Sequence, residues 1–290
     1  MTASTTPTFG TRLRAAMDTH GPLCVGIDPH RALVESWGLG YDLAGLERFA
    51  LTCVEAFAGR VAAVKPQSAF FEVFGSRGVA VLERVLADLR DSGTLTVLDA
   101  KRGDIGSTME AYAQAFLGDE GPGRADALTV SPYLGYGALR PAIDLAAATG
   151  RGVFVLALTS NPEGPSVQHA DAGGASVAAG VVAGAAADNA GAAARGELGH
   201  VGLVVGATVG DAVDRLGLDL AGSAAPLLAP GLGAQGAGPG DLRAVFGDAL
   251  GQVLPNVSRS VLAAGPSVAA LAEAAVREAD AVAAAVRASV

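Results

Sequence analysis

The chain has 290 residues, half of them hydrophobic, with 20 basic and 29 acidic side chains and a formal net charge of −9. This negative balance argues against a general nucleic-acid-binding surface, although a locally basic pocket could still hold a small anion. The two cysteines are too few for a disulfide framework, and the first ten residues lack the basic and apolar stretches of a signal peptide, so we expect a soluble, cytoplasmic protein without a membrane span.

Eight short apolar runs alternate with longer helical patterns along the chain. Several runs are continuously apolar, which is typical of parallel strands covered on both faces. The predicted strands are Leu23–Asp28, Ala62–Pro66, Leu95–Ala100, Ala127–Ser131, Gly152–Leu158, Val201–Gly206, Pro226–Ala229 and Val253–Val257. The predicted helices are Leu43–Gly59, Gly78–Ser92, Ser107–Leu117, Ala138–Thr149, Ser176–Arg195, Asp211–Leu216, Asp241–Ala249 and Ser267–Arg287, with a further one near Thr11–Thr19.

Eight βα units in one chain predict a closed (β/α)8 TIM barrel with an extra N-terminal helix. A doubly wound open sheet is the alternative architecture. No shift in composition marks a domain boundary, so we expect a single domain over residues 1–290. The longest irregular stretch, from Asn161 to Gly174, follows the fifth strand and is interpreted as a lid.

In a βα barrel, chemistry takes place where the strands end and the βα loops begin. The polar residues at the predicted strand ends are Asp28, Lys65, Gln67, Asp99, Lys101, Asp104, Ser131, Thr159, Ser160, Thr208, Gln235, Ser258 and Arg259. Acidic and basic side chains that converge on one barrel mouth predict a charged site.

The motif Asp99-x-Lys101-x-x-Asp104 is the strongest local signal. Lys65 and Lys101 are the only lysines of the chain, which otherwise uses arginine for positive charge. Lysine shifts its pKa readily and can deliver a proton, whereas arginine stays protonated. Alternation along a strand predicts that Asp99 and Lys101 lie on the same side, toward the barrel interior. A purely structural ion-pair network is the alternative. Burying ion pairs costs desolvation free energy, however, so their position at a barrel mouth favours a functional role.

A glycine-rich turn after the seventh strand and Ser258-Arg259 after the eighth indicate a phosphate site. Barrels commonly bind phosphate with these two loops. Glycines let backbone amides approach an anion, and an arginine can donate two parallel hydrogen bonds to phosphate oxygens. The spacing Gly231-x-Gly233-x-x-Gly236 also matches a dinucleotide fingerprint, but that fingerprint belongs in the first βα turn. At the first strand, Gly26-Ile27-Asp28 adds a carboxylate that could hold sugar hydroxyls or cap the next segment.

The segment Asp99-Ala100-Lys101-Arg102-Gly103-Asp104-Ile105-Gly106-Ser107-Thr108 resembles the signature of the orotidine 5′-phosphate decarboxylases, in particular of their longer bacterial subfamily. The resemblance extends from Gly26-Ile27-Asp28 to Ser258-Arg259 and so covers most of the chain. It implies a (β/α)8 barrel that converts orotidine 5′-monophosphate to UMP in pyrimidine synthesis. It also implies that no metal or organic cofactor is used and that the protein is a homodimer with shared active sites. The net charge and composition indicate that neither nucleic acid nor membrane is a partner.

The resemblance also implies roles for individual residues. Lys101 would protonate C6 of the pyrimidine, Asp99 would lie against the substrate carboxylate, and Lys65 would contact the ribose and the charge network. Asp104 and Thr108 would be supplied to the active site of the partner subunit. The substrate-binding residues would be Asp28 at the ribose, Ser160 at the pyrimidine, and Gln235, Arg259 and the backbone amide of Ser258 at the phosphate. The choice between Ser160 and Thr159 stays open.

Two other functions are compatible with parts of the pattern. An aldolase-like hexulose-phosphate synthase shares the Asp-x-Lys-x-x-Asp motif but works through a magnesium-bound enediolate, so metal dependence separates the two activities. The segments Lys65-Pro66-Gln67 and Gly233-x-Gln235-Gly236 favour the decarboxylase. A nucleotide-binding module without activity is the third possibility, and the presence of every expected catalytic residue argues against it.

Overall fold

The computed structural model describes residues 7–232, 238 and 240–287. Eight parallel strands form a closed barrel in which each strand pairs with its neighbours in sequence order and the first pairs with the last. The strands are β1 Cys24–Ile27, β2 Ala63–Pro66, β3 Leu95–Arg102, β4 Ala127–Val130, β5 Gly152–Leu158, β6 Val201–Val205, β7 Leu227–Pro230 and β8 Val253–Val257. The predicted TIM barrel is therefore confirmed, and the open sheet is wrong.

Helices alternate with these strands, and one precedes β1, as predicted. Within the described residues the helices are α1 Phe9–His20, α2 Arg31–Ser36, α3 Leu43–Phe57, α4 Ala69–Glu72, α5 Gly75–Asp91, α6 Gly106–Leu117, α7 Arg140–Thr149, α8 Pro165–Gln168, α9 Val177–Ala193, α10 Ala212–Arg215, α11 Asp241–Phe246, α12 Arg259–Leu262 and α13 Val268–Arg287, with 3-10 turns at Tyr136–Leu139 and Gly247–Gln252. No helix of these ranges combines the length and the apolar character that crossing a bilayer requires.

The short helices α2, α4, α8 and α12 are missing from the predictions. Each has only four to six residues, too few for a repeating apolar face to show in the sequence. The segment Asn161–Gly174, predicted to be irregular, contains α8. Strand β3 also continues two residues beyond its predicted end at Ala100.

Helix α1 closes the N-terminal end of the barrel. Its Phe9, Leu13 and Met17 side chains are buried against residues of the barrel interior. The ring of Phe9 meets that of Phe154 edge to face, with the centroids 5.9 Å apart. Burial of each such side chain contributes roughly 1.5–3 kcal/mol. Because all eight strands are parallel, their polar C-terminal ends lie together at the opposite mouth.

Candidate active site

A cluster of charged and polar side chains surrounds Asp99 at the C-terminal mouth. Lys65 Nζ donates a hydrogen bond to Asp99 Oδ2 over 3.0 Å, and Lys101 Nζ donates to Asp99 Oδ1 over 2.6 Å. Gln67 Nε2 and Thr129 Oγ1 each donate to one oxygen of the same carboxylate, both over 3.0 Å. We call these five residues the charged cluster. Four donors from three neighbouring strand regions thus fix the Asp99 carboxylate in one position.

Exposure and charge differ among the members of the charged cluster. The exposed fraction of the side chain is 5% for Lys65, 10% for Asp99 and 47% for Lys101. Burial favours a higher pKa for Asp99, but the two lysines outweigh burial and hold that pKa well below its usual range. Burial likewise favours a lower pKa for Lys65, but Asp28 and Asp99 outweigh burial and raise it. Asp99 and Lys65 are therefore both charged at neutral pH, while Lys101 reaches into the open mouth.

The backbone of β3 departs from regular strand geometry beyond Asp99. The pairing register between β3 and β4 shifts there, and Lys101 has a φ of 47°, in the left-handed region. Thr129 Oγ1 accepts hydrogen bonds from the amides of Ala100 and Lys101, over 3.0 and 2.9 Å. A non-glycine residue in this region costs on the order of 1–3 kcal/mol. Asp99 and Lys101 do lie together as predicted, but an irregularity held by Thr129, and not simple alternation, brings them there.

Asp28 follows β1 and extends the site toward β8. Its Oδ1 lies 3.9 Å from Lys65 Nζ and is buried, without a hydrogen-bond partner among the described residues. A Cβ atom placed on Gly26 would lie only 2.1 Å from Ser258 Oγ and 3.2 Å from Asp28 Oδ2. Glycine at position 26 thus lets the ends of β1 and β8 approach each other. A buried carboxylate oxygen without a donor is suited to accept a hydrogen bond from a ligand hydroxyl.

Two cavities meet beside Asp28 and His30 and together span the mouth. The larger has a volume of about 530 Å³ and extends to the ends of β7 and β8. The smaller, of about 450 Å³, extends over β2 and β3. Their polar lining includes Asp28, His30, Lys65, Asn256, Ser258 and Arg259 in the larger cavity, and Gln67, Ser68, Glu72, Lys101 and Arg102 in the smaller. One elongated ligand could therefore contact Lys101 at one end and Arg259 at the other.

Asp104 and Thr108 lie at the mouth but apart from the charged cluster. Asp104 is in the turn before α6, where its Oδ1 accepts a hydrogen bond from the neighbouring Ile105 amide over 2.8 Å. Thr108 is exposed on the first turn of α6. The hydrogen bonds and ion pairs of the described residues connect neither side chain to the cluster.

The residues predicted to hold the pyrimidine and the phosphate follow β5, β7 and β8. Ser160 is exposed, whereas the Thr159 hydroxyl donates to Asn161 Oδ1 and accepts from Gln168 Nε2, each over 2.6 Å. Arg259 is the first residue of α12 and borders the larger cavity. Gln235 is one of the residues 233–237, which lie outside the described residues.

Thr129 and Gln67 contact Asp99 directly, but neither is among the catalytic or substrate-binding residues predicted from the sequence. For Thr129 a signal is present, because it interrupts the apolar run Ala127–Val130 and a buried hydroxyl requires a partner. Gln67 is recognisable only as one more polar residue at a strand end. His30 and Asn256, which line the larger cavity, have no distinctive spacing at all.

The sequence model of the orotidine 5′-phosphate decarboxylase / HUMPS family matches residues 21–274. The chain belongs to this family. A curated relative from Streptomyces coelicolor, named orotidine 5′-phosphate decarboxylase, is 62% identical over 282 residues, which cover 97% of this chain and 99% of the relative. A relative of the same name from Salinispora arenicola is 63% identical over 270 residues, covering 93% and 95% of the two chains.

Solved structures show the same relationship. A chain from Streptomyces avermitilis, described as an orotidine 5′-phosphate decarboxylase, superposes with a TM-score of 0.93 at 59% identity, covering 99% of both chains. The UMP synthase of Leishmania donovani superposes with a TM-score of 0.73 at 32% identity, covering 96% of this chain and 57% of the synthase. The prediction of an enzyme of the decarboxylase class is therefore confirmed.

Proposed function

We propose that this chain converts orotidine 5′-monophosphate to UMP and carbon dioxide in the cytoplasm, without a metal or organic cofactor, and that Lys101 donates the proton to C6. The charged cluster carries the proposal, because the fixed Asp99 carboxylate anchors Lys101, which lines the smaller cavity, and Lys65, which lines the larger cavity that extends to Arg259. The names of the relatives support the overall reaction, and the geometry of this chain supports the assignment of its residues.

The chemical difficulty of this reaction is the electron pair left at C6. When the bond between C6 and the carboxylate breaks, carbon dioxide leaves and the pair stays on an sp² carbon without an adjacent electron sink. An ammonium group fixed beside this carbon stabilises the developing charge without reorganisation and then transfers its proton to C6. Lys101 suits this role, since Asp99 anchors its Nζ and its side chain is 47% exposed. The neutral amine that remains can regain a proton from water.

Asp99 and Lys65 would prepare the site for the charged substrate. The Asp99 carboxylate is fixed by four hydrogen bonds and kept ionised, so it repels a substrate carboxylate placed beside it until carbon dioxide leaves. Lys65 lies 3.9 Å from Asp28 Oδ1 and 3.0 Å from Asp99 Oδ2, so its positive charge attracts both acids. Together with the unpartnered Oδ1 of Asp28, it would bind the ribose hydroxyls.

The base and the phosphate would be held by the loops after β5, β7 and β8. Ser160 is the better candidate for the pyrimidine, because the hydroxyl of Thr159 is already engaged within its own loop. Arg259 would form charge-assisted hydrogen bonds to the phosphate, joined by the amide of Ser258 and by Gln235. These contacts are remote from C6, so their binding energy can contribute to catalysis only by holding the substrate in a reactive position.

An absorbance assay with orotidine 5′-monophosphate, run with and without EDTA, tests the proposed reaction. We expect the substrate absorbance to decay with formation of one UMP per substrate, at the same rate in both samples. A folded protein that leaves this substrate unchanged would contradict the reaction. Activity that disappears with EDTA and returns with Mg²⁺ would contradict the cofactor-free mechanism and point to the metal-dependent branch of the family.

We expect the active sites to be shared between the two subunits of a homodimer. Ile105, next to Asp104, is 62% exposed, and Tyr133 and Leu134 after β4 are 80% and 53% exposed. A backbone hydrogen bond of 2.8 Å joins the ends of β3 and β4 from which these segments continue. Large exposed apolar side chains on neighbouring loops favour a subunit interface at this position. Asp104 and Thr108 would then reach the partner's substrate.

Mixing two inactive variants tests this arrangement. Lys101→Ala and Asp104→Ala homodimers are each expected to be inactive, whereas equal amounts exchanged into heterodimers should regain about a quarter of wild-type activity, because half of the dimers then contain one intact site. The measurement is decarboxylase activity before and after subunit exchange. If each site is built from one chain only, no activity returns although heterodimers form.

A further inference from the structure

We infer that Trp37 is a positioning residue for phosphate binding, because it joins the two sides of the larger cavity. The inference rests on the proposed function, in which Arg259 holds the substrate phosphate. Trp37 follows α2 directly and is buried, with 6% of its surface exposed. Its indole Nε1 donates a hydrogen bond over 3.0 Å to the carbonyl of Leu262, the last residue of α12. Arg259 is the first residue of the same helix.

The indole ring is held tightly on both faces. On one side it stacks on Phe49 of α3, with the ring centroids 4.0 Å apart and an interplanar angle of 29°. On the other side, a Cβ atom on Gly265 would lie 2.1 Å from the Cε2 and Cζ2 atoms of Trp37, so only glycine leaves room for the ring. Phe49 contributes apolar packing to the ring, whereas the space left by Gly265 fixes where Nε1 meets α12.

Both segments joined by this hydrogen bond form walls of the larger cavity. Ala32 and Leu33 of α2 line one side, and Ser258 and Arg259 line the other. Trp37 thus connects the loop after β1, which carries the ribose-binding candidate Asp28, to the loop after β8, which carries the phosphate-binding candidates. The contact between the indole and α12 therefore joins the outer parts of the two walls, beyond the pairing of β1 with β8.

The chemistry of the side chain distinguishes this role from simple packing. A buried indole N–H requires an acceptor, and the Leu262 carbonyl accepts from both Trp37 and the Gly265 amide. Phenylalanine would keep an aromatic ring against Phe49 but would lose the donor. Trp37→Phe therefore removes the hydrogen bond to α12 but keeps an aromatic ring in the apolar core. Phe49→Leu weakens the aromatic stack but keeps the indole donor.

The test compares the kinetics of these two variants with orotidine 5′-monophosphate and their binding of UMP by calorimetry. For Trp37→Phe, we expect KM and the Kd for UMP to rise about five- to tenfold, the effect of one buried hydrogen bond, with kcat at saturation within twofold of wild type. For Phe49→Leu, Tm should fall while both constants stay within twofold. Unchanged constants in a folded Trp37→Phe protein, or equal effects in the two variants, would overturn the inference.

The wild-type protein provides a second measurement that does not depend on the folding of a variant. Because Trp37 is the only tryptophan of the chain, its emission can be excited at wavelengths that the four tyrosines do not absorb, and it then reports on the surroundings of this indole. UMP should change the emission of the wild-type protein with a midpoint equal to its calorimetric Kd, because the bound phosphate would place negative charge at the start of α12. UMP binding without any change in emission would overturn the inference, whereas a protein that neither binds UMP nor converts the substrate would overturn the proposed function instead.

Discussion

Lys101→Ala is expected to lower kcat for orotidine 5′-monophosphate by about 10⁴-fold or more, the combined contribution of a proton donor and of a fixed charge beside the developing anion. Affinity for UMP should stay within about tenfold of wild type, since the product has no carboxylate and its phosphate is bound at the far end of the site. The fold should persist, because Lys65 still pairs with Asp99 over 3.0 Å. Steady-state kinetics and calorimetry measure the two effects separately.

Lys101→Arg is the matched control for the charge of Lys101. Arginine keeps a cation near Asp99 but does not release a proton at accessible pH, so it can stabilise the anion without protonating C6. We expect turnover to stay at least about 10²-fold below wild type, the lower range for a missing general acid. Near-normal turnover in either variant would show that another group protonates C6.

The barrel could be predicted from the sequence because parallel strands covered on both faces produce continuous apolar runs. The run Gly152–Leu158 was predicted with its observed bounds, as was Val253–Val257. The helix α12 could not be predicted, because its four residues owe their conformation to the contacts around them and not to a repeating pattern. The same holds for α8 inside the segment interpreted as a lid.

The site could be predicted only as far as it depends on residue type and strand position. The lysine between two aspartates indicated the location of the charged cluster, since so few lysines occur in the chain. The left-handed backbone of Lys101 and the three hydrogen bonds of the Thr129 hydroxyl were not predictable, because they depend on how β4 lies against β3. The contact between Trp37 and Leu262 spans 225 residues of sequence and leaves no local signal.

Asp99→Asn is expected to lower the free energy of unfolding at neutral pH by about 3–5 kcal/mol, the usual effect of removing one partner from a buried ion pair. Asparagine can still bond to Thr129, but Lys65 would keep only Asp28, at 3.9 Å, as an anionic partner. Denaturant unfolding with an unchanged m-value gives the difference. Asp280→Asn is the matched control and should change stability by less than about 0.5 kcal/mol, since Asp280 is exposed on α13 beside α1, at the opposite end of the barrel from the charged cluster.

The stability difference between wild type and Asp99→Asn should depend on pH in a direction set by the lowered pKa of Asp99. An aspartate in the unfolded chain has a pKa of ~3.9, whereas the pKa of Asp99 in the folded protein lies well below that value. The ionised carboxylate therefore contributes its full stabilisation above the unfolded pKa and loses it as the pH falls through the folded pKa. We expect a constant difference between about pH 6 and about pH 8 that narrows below about pH 4. A stability difference that is absent at neutral pH, or that widens on acidification, would show that the two lysines do not hold Asp99 ionised. Lys101 would then lack the anionic anchor that directs it toward C6.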